Sequence, residues 1–303
     1  MYETLRDSVY SDLKTPHRRH KYPLHWLFHV PEGLLPMKAK VLEKSYLLMR
    51  EVDDYVDGDK PLPAGCISIR YFLEERKRFV LGGEPSHEID HLLAELISSV
   101  PVDLHEPLKQ SMVSLLDTWT FDHDRQNVEV PQVLSEEELE QHVLGVELEG
   151  VMQGVLVVCE EDVSQLPRLQ NLVLACRRYH YFLRDFPEDV ADGLFNLSLE
   201  ELGDGIEDLL IIQSKAQLYK ERVAQVITPA EQKQHYAEFC QALPDRIKSV
   251  MVERALHAQQ LLKEFDEEQI LKDFNLITQA VLYFLYRKRA SAFLKNFIDD
   301  IQQ

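Results

Sequence analysis

Apolar residues recur along this chain at spacings of three and four, the period of an amphipathic helix, in almost every stretch between its prolines and acidic caps. The pattern predicts helices over roughly 37–57, 68–81, 86–99, 105–125, 135–160, 165–188, 205–226, 229–243, 246–264 and 267–300. Ser135 with Glu138 has capping-box spacing, and Thr228-Pro229-Ala230-Glu231 sets a cap residue before a proline at the first helical position. No run alternates apolar and polar positions between hairpin turns, so no strand is expected. The last proline is Pro244, which leaves the remainder open to long uninterrupted helices. Gly/Ser-rich linkers and short repeats are absent. One all-α domain spanning residues 1–303 is the expectation, with polar connections near 122–132 and 189–205.

One helical stretch is unusual. Gly145-Val146-Glu147-Leu148-Glu149-Gly150-Val151-Met152-Gln153-Gly154 carries three glycines, each costing about 1 kcal/mol against alanine in a helix interior. Gly150 and Gly154 are four apart and leave a smooth groove on one face, with Met152 between them in sequence. Such a groove serves either close helix packing or an apolar ligand lodged between helices.

Composition narrows the function. A formal net charge of −19 argues against nucleic-acid binding, which needs a basic footprint, and against broad adsorption to anionic lipid. Cys66, Cys159, Cys176 and Cys240 show no CxxC spacing, so zinc and a disulfide framework are not expected, and reduced thiols suit a cytoplasmic protein. Residues 1–20 carry Arg6, Lys14, Arg18 and Arg19 with no apolar run, unlike a secretory signal. No apolar run approaches the roughly 18–20 residues of a spanning helix. A basic-aromatic cluster, Tyr283-Phe284-Leu285-Tyr286-Arg287-Lys288-Arg289, reads as a helix end whose cations complement the dipole, or as a peripheral membrane contact.

Candidate chemistry lies in two acidic stretches about 130 residues apart. Arg50-Glu51-Val52-Asp53-Asp54-Tyr55-Val56-Asp57 and Leu183-Arg184-Asp185-Phe186-Pro187-Glu188-Asp189 each set two aspartates four positions apart beside an arginine. On a helix that spacing aims both carboxylates the same way. Asp and Glu make up 52 of 303 residues, so chance pairs are common and usually mark a solvated face. These two pairs follow apolar sequence, Tyr46-Leu47-Leu48-Met49 and Tyr179-His180-Tyr181-Phe182, where carboxylates repel one another unless a cation compensates. Asp53, Asp57, Asp185 and Asp189 together suit Mg²⁺, which takes one or two carboxylates and leaves other positions to phosphate and water.

These residues resemble the squalene/phytoene synthase family, the head-to-head branch of the isoprenyl diphosphate enzymes. Arg50–Gly58 is similar to the family's first aspartate-rich motif, Leu183–Asp189 to the second, and Leu197-Ser198-Leu199-Glu200-Glu201-Leu202 to the segment after it. Leu115-Leu116-Asp117…Asp122 and Val146–Leu156 match weaker patterns in the same order, and the likeness covers about residues 17–260. It implies a helical bundle around a central apolar cavity, with Mg²⁺ held by Asp53, Asp57, Asp185 and Asp189 against a prenyl diphosphate. It further implies diphosphate contacts from Arg50, Arg184 and His20, and a cavity lined in part by Tyr181, Gly150, Gly154 and Met152.

Several positions depart from the family. Where it carries a polar Gln and Asn before the second motif, this chain has Arg178 and Tyr181; Arg178 adds a cation able to hold diphosphate, and Tyr181 narrows the space for a second prenyl chain. Its basic flap is replaced by Val190-Ala191-Asp192-Gly193-Leu194. Pro187 opposes the Leu183 carbonyl and is expected to kink the helix. Three functions follow: head-to-head condensation of two farnesyl or geranylgeranyl diphosphates, a terpene cyclisation or prenyl transfer on one diphosphate, or a non-catalytic binding factor on the same fold. The first is preferred, because agreement of whole motifs outweighs two substitutions.

Overall fold

The structure is a computed structural model that describes residues 36–58, 60–128, 132–203, 208–226 and 228–301. Among the described residues every regular element is helical. In chain order these are α1 (Pro36–Val56), α2 (Ile69–Val80), α3 (Glu88–Ser98), α4 (His105–Gln126), α5 (Glu136–Val143), the π-helical π1 (Leu144–Met152) and α6 (Gln153–Val158). There follow α7 (Gln170–Val173), π2 (Leu174–Tyr181), α8 (Phe182–Ala191), α9 (Leu199–Leu202), α10 (Asp208–Val223) and α11 (Pro229–Gln241). The chain ends in α12 (Asp245–Glu267), α13 (Leu276–Val281), π3 (Leu282–Arg287) and α14 (Lys288–Ile301), with short 3₁₀ turns between some elements. Both capping signals are used: Ser135 and Glu138 close a reciprocal box at α5, and Thr228 and Glu231 do so at α11 with Pro229 at the first helical position.

Two features depart from the pattern. The boundary expected between helices 246–264 and 267–300 is displaced: α12 runs on to Glu267, Gln269 adopts a left-handed φ of 55°, and the next α-helix starts only at Leu276. Asn275 then restarts the helix, its side-chain oxygen accepting from the backbone N–H groups of Ile277 and Thr278. The second departure is the wide turn of three segments, π1, π2 and π3, in which the register of side chains slips relative to an α-helix.

Contacts divide the chain into two compact units. The first comprises the described residues of Met1–His123 with Gly145–Pro167 and Phe274–Gln279. Its α1 packs against α3 and α6, and α2 against α3. Phe72, Leu73 and Val80 of α2 are buried at helical spacing, and burying each such side chain contributes about 1.5–3 kcal/mol. Below them Arg76 meets Asp90 at 2.6 Å, both buried. Asp90 also accepts from the backbone N–H groups of Ser86 and His87, so one carboxylate caps α3 and neutralises the arginine.

In the same unit, Gly150 and Gly154 face α4. A β-carbon at Gly150 would lie 2.9 Å from the Leu115 side chain, and one at Gly154 2.8 Å from the Ser111 hydroxyl, which itself donates to the Gly150 carbonyl at 2.6 Å. On this face the glycines allow close helix packing, and Met152 is fully buried.

The second unit comprises Asp124–Leu144, Arg168–Asp273 and Ala280–Gln303. Here α8 packs on α10, π2 on α12, and α12 on α14. Phe182, Leu183, Phe186 and Val190 form the buried face of α8, and Phe186 stacks near Phe182 and Phe239. The same period leaves Arg184, Asp185 and Asp189 half-buried on the remaining face.

Candidate functional site

The first acidic stretch closes α1. Asp53 lies in its last turn, half-buried, whereas Asp57 lies past the helix end in an exposed turn, with its N–H donating to the Asp53 carbonyl at 2.8 Å. The most buried carboxylate of the stretch is Asp54, which is 1% exposed. Arg50, itself buried, holds both neighbours: one guanidinium nitrogen lies 2.5 Å from Asp53 Oδ2 and the other 2.5 Å from Asp54 Oδ1. Burial works against the Arg50 charge, yet Asp53, Asp54 and Asp57 together hold its pKa above the ordinary value. Lys60 reaches back to Glu51 at 2.6 Å and to Asp54 at 3.5 Å, fastening the turn onto the helix. Asp54 was not among the expected site residues, although its position four after Arg50 is an ion-pair spacing the sequence displays.

The second stretch is α8 with π2 before it. Arg184 grips Asp185 in a fork, Nε to Oδ1 at 2.7 Å and Nη2 to Oδ2 at 2.5 Å. Burial opposes the Arg184 charge, but Asp185 outweighs it and raises the pKa. The Tyr181 ring carries Arg184 at 4.2 Å and Arg177 at 4.7 Å from its centroid. His180, stacked on Tyr181 and beside Phe293, has its pKa pushed down to about 3 by burial and by Arg184, so it is neutral at physiological pH. Asp189 accepts from the Asn196 carboxamide at 3.2 Å.

Arg178 takes a different role from the expected diphosphate contact. It is 2% exposed and donates to Glu136 at 2.6 Å and to the Asn196 carbonyl at 3.1 Å, so its charge is engaged inside the unit. Arg254, also buried, donates to Glu201 and to the same carbonyl, and packs over the Phe182 ring. Burial and the neighbouring Arg178 lower the Arg254 pKa to about 10, leaving it charged at neutral pH. His20 lies outside the described residues. In the C-terminal cluster Arg287 pairs with Asp266, Lys288 sits over the Phe284 ring, and Tyr283 and Phe284 are exposed.

Pro187 does not break α8, which runs from Phe182 through Ala191. The Leu183 carbonyl, which a proline cannot serve, accepts instead from the Tyr236 hydroxyl of α11. Tyr236→Phe should therefore cost about 1–3 kcal/mol, the penalty for a buried acceptor left without its donor. In a Pro187→Ala background, where an N–H returns to residue 187, the same replacement should cost distinctly less. A double-mutant cycle by urea unfolding measures this coupling, and additive effects would refute it.

Among the described residues, no three His, Cys, Asp or Glu side chains gather as a metal cage. The donor chemistry of each pair still fits Mg²⁺, because one or two carboxylates suffice when phosphate oxygens and water complete its shell. No helix among the described residues is long and apolar enough to cross a membrane. No known protein family, no curated protein and no solved structure matches the chain. The class its fold defines is that of an all-helical protein, with two arginine-gripped carboxylate stretches.

Proposed function

We propose that the chain is an Mg²⁺-dependent class I isoprenoid synthase of squalene/phytoene synthase type, which ionises allylic prenyl diphosphates and joins two farnesyl or geranylgeranyl units head to head. The observation that carries this is the repeated arrangement at the two motifs. In each, an arginine pairs with an aspartate of its own motif on a helix whose apolar residues are buried: Arg50 on Asp53 and Arg184 on Asp185. When bound, Mg²⁺ supplies positive charge to the diphosphate oxygens as the carbon–oxygen bond breaks and its electron pair leaves with them. Asp53 with Asp57, and Asp185 with Asp189, are the carboxylate pairs that would each hold such an ion. Arg50 and Arg184 hold Asp53 and Asp185 in place, and would exchange a carboxylate oxygen for a diphosphate oxygen when substrate binds. Arg178 enters as an internal support of this face rather than as a contact to substrate. Tyr181, with arginines against its ring, bears on the alternative of a cyclase or prenyl transfer using a single diphosphate.

A second reading, a non-catalytic binding factor on the same fold, is favoured by one observation: the arginines of both motifs are already satisfied by carboxylates of the chain itself. Incubation of purified protein with Mg²⁺ and geranyl, farnesyl or geranylgeranyl diphosphate, followed by mass spectrometry of the hydrocarbon extract, separates the three. A C30 or C40 product is expected. A C15 or C20 hydrocarbon from one substrate would replace condensation by cyclisation, and recovery of every substrate unchanged would overturn the enzyme.

A further inference from the structure

Three buried arginines converge on Asn196 and the carbonyl before it in the second unit. Arg125 donates to the Phe195 carbonyl at 2.9 Å and to the Asn196 side-chain oxygen at 3.2 Å. Arg178 and Arg254 both donate to the Asn196 backbone carbonyl, at 3.1 and 3.0 Å. The remaining polar group of that side chain, Nδ2, donates to Asp189 Oδ2 at 3.2 Å. The orientation of the carboxamide follows from chemistry. A guanidinium can only donate, so the amide oxygen must face Arg125, and the NH₂ is thereby turned toward Asp189. Two guanidiniums on one carbonyl fix the backbone of Asn196, and a third fixes its side chain.

The geometry points to Asn196 as the positioning residue of Asp189: the arginine clamp sets the carboxamide, and the carboxamide sets the rotation of the carboxylate and so the direction in which it meets a divalent cation. This rests on the proposal that Asp189 is a cation ligand. A neutral amide suits the task, because it donates to the carboxylate without bringing a second charge that would compete for the cation or repel it. Nothing in the spacing of the second motif reveals it, since Asn196 lies seven residues beyond Asp189, past the end of α8.

The test uses Asn196→Ala, which removes the donor to Asp189 without adding charge and leaves the backbone carbonyls of residues 195 and 196 to accept from the three arginines. Affinity for Mn²⁺, measured by electron paramagnetic resonance with inorganic diphosphate present, should weaken about 10- to 100-fold, the usual loss when a group orienting a ligand is removed. The melting temperature should stay near that of the wild type. The Mg²⁺ concentration for half-maximal turnover should rise while kcat at saturating Mg²⁺ recovers, a split that a general loss of structure would not produce. A second readout needs no metal. The side-chain NH₂ resonances of Asn196 in the ¹⁵N-labelled protein should move on Asp189→Ala. Mn²⁺ affinity within twofold of wild type in a folded Asn196→Ala variant would overturn the positioning role. So would unmoved NH₂ resonances. If the wild type binds no Mn²⁺ with diphosphate, the cation role of Asp189 falls, and with it the use assigned to Asn196, while the resonances still decide whether Asn196 holds Asp189.

Discussion

Glu201→Gln should destabilise the protein by about 3–5 kcal/mol, the cost of removing one partner from a buried charge pair. Glu201 holds two things together. Its carboxylate accepts from the Ser198 backbone N–H at 2.8 Å and closes the box at α9, and it pairs with Arg254 while lying 3.6 Å from Arg178. Glutamine retains the shape and the cap acceptor but not the charge. Arg178 and Arg254, 2% and 3% exposed, would then be left with Glu136, which pairs with Arg178 at 2.6 Å and whose charge also reaches Arg254. Urea unfolding of the full chain measures the loss, and a change below about 0.5 kcal/mol, the scale of an ordinary surface substitution, would refute the role. The effect should also depend on pH with a defined sign. Burial pushes the Glu201 carboxyl up, but Arg254 and Arg178 outweigh it, so its pKa in the folded protein lies below the ordinary value. A group depressed in this way contributes fully above its unfolded pKa, and the contribution is lost as pH falls through the folded one. The gap between wild type and Glu201→Gln should therefore close on the acid side and stay constant from neutral pH upward.

The second large effect concerns turnover. Asp53→Asn and Asp185→Asn should each lower kcat by about 100- to 1000-fold with the fold intact, because each keeps the side-chain shape and removes the charge that would hold the cation. The first motif allows a sharp internal control. Arg50 is shared between Asp53 and the buried Asp54, so Asp53→Asn leaves it a partner, whereas Asp54→Asn removes the carboxylate that is out of water. Loss of activity is expected at Asp53, and loss of stability at Asp54. Steady-state kinetics beside thermal unfolding of both variants checks the separation. Full turnover in Asp53→Asn and Asp185→Asn alike would reject both residues as ligands.

Much of the fold is legible along the chain because the forces that make a helix act within a few residues. The ladders of apolar positions in α2, α8 and α12 set which face is buried, and the boxes at Ser135 and Thr228 mark where helices start. The position of the break after Glu267 is less legible, since the apolar pattern ends one helix at 264 and starts the next at 267. Neither proline nor glycine announces it, and only Asn275 signals the restart. The π segments are hidden for a related reason: a single added residue per turn leaves the apolar pattern almost unchanged, while shifting which side chains share a face.

By itself the sequence determined the helical class, the two acidic stretches and the arginine beside each, since an ion pair three or four residues apart needs only the geometry of one helix. Tertiary structure decided what each of those groups faces. It is packing that buries Asp54 and leaves Asp57 exposed at the end of α1, although both carry the same charge. The partner that rescues the Leu183 carbonyl stands 53 residues away on α11, and the carboxylate that takes up Arg178 stands 42 residues before it. Partners so far apart along the chain leave no periodicity to read. Burial then magnifies their effect, because a charge or carbonyl taken out of water depends on whichever group the fold brings beside it.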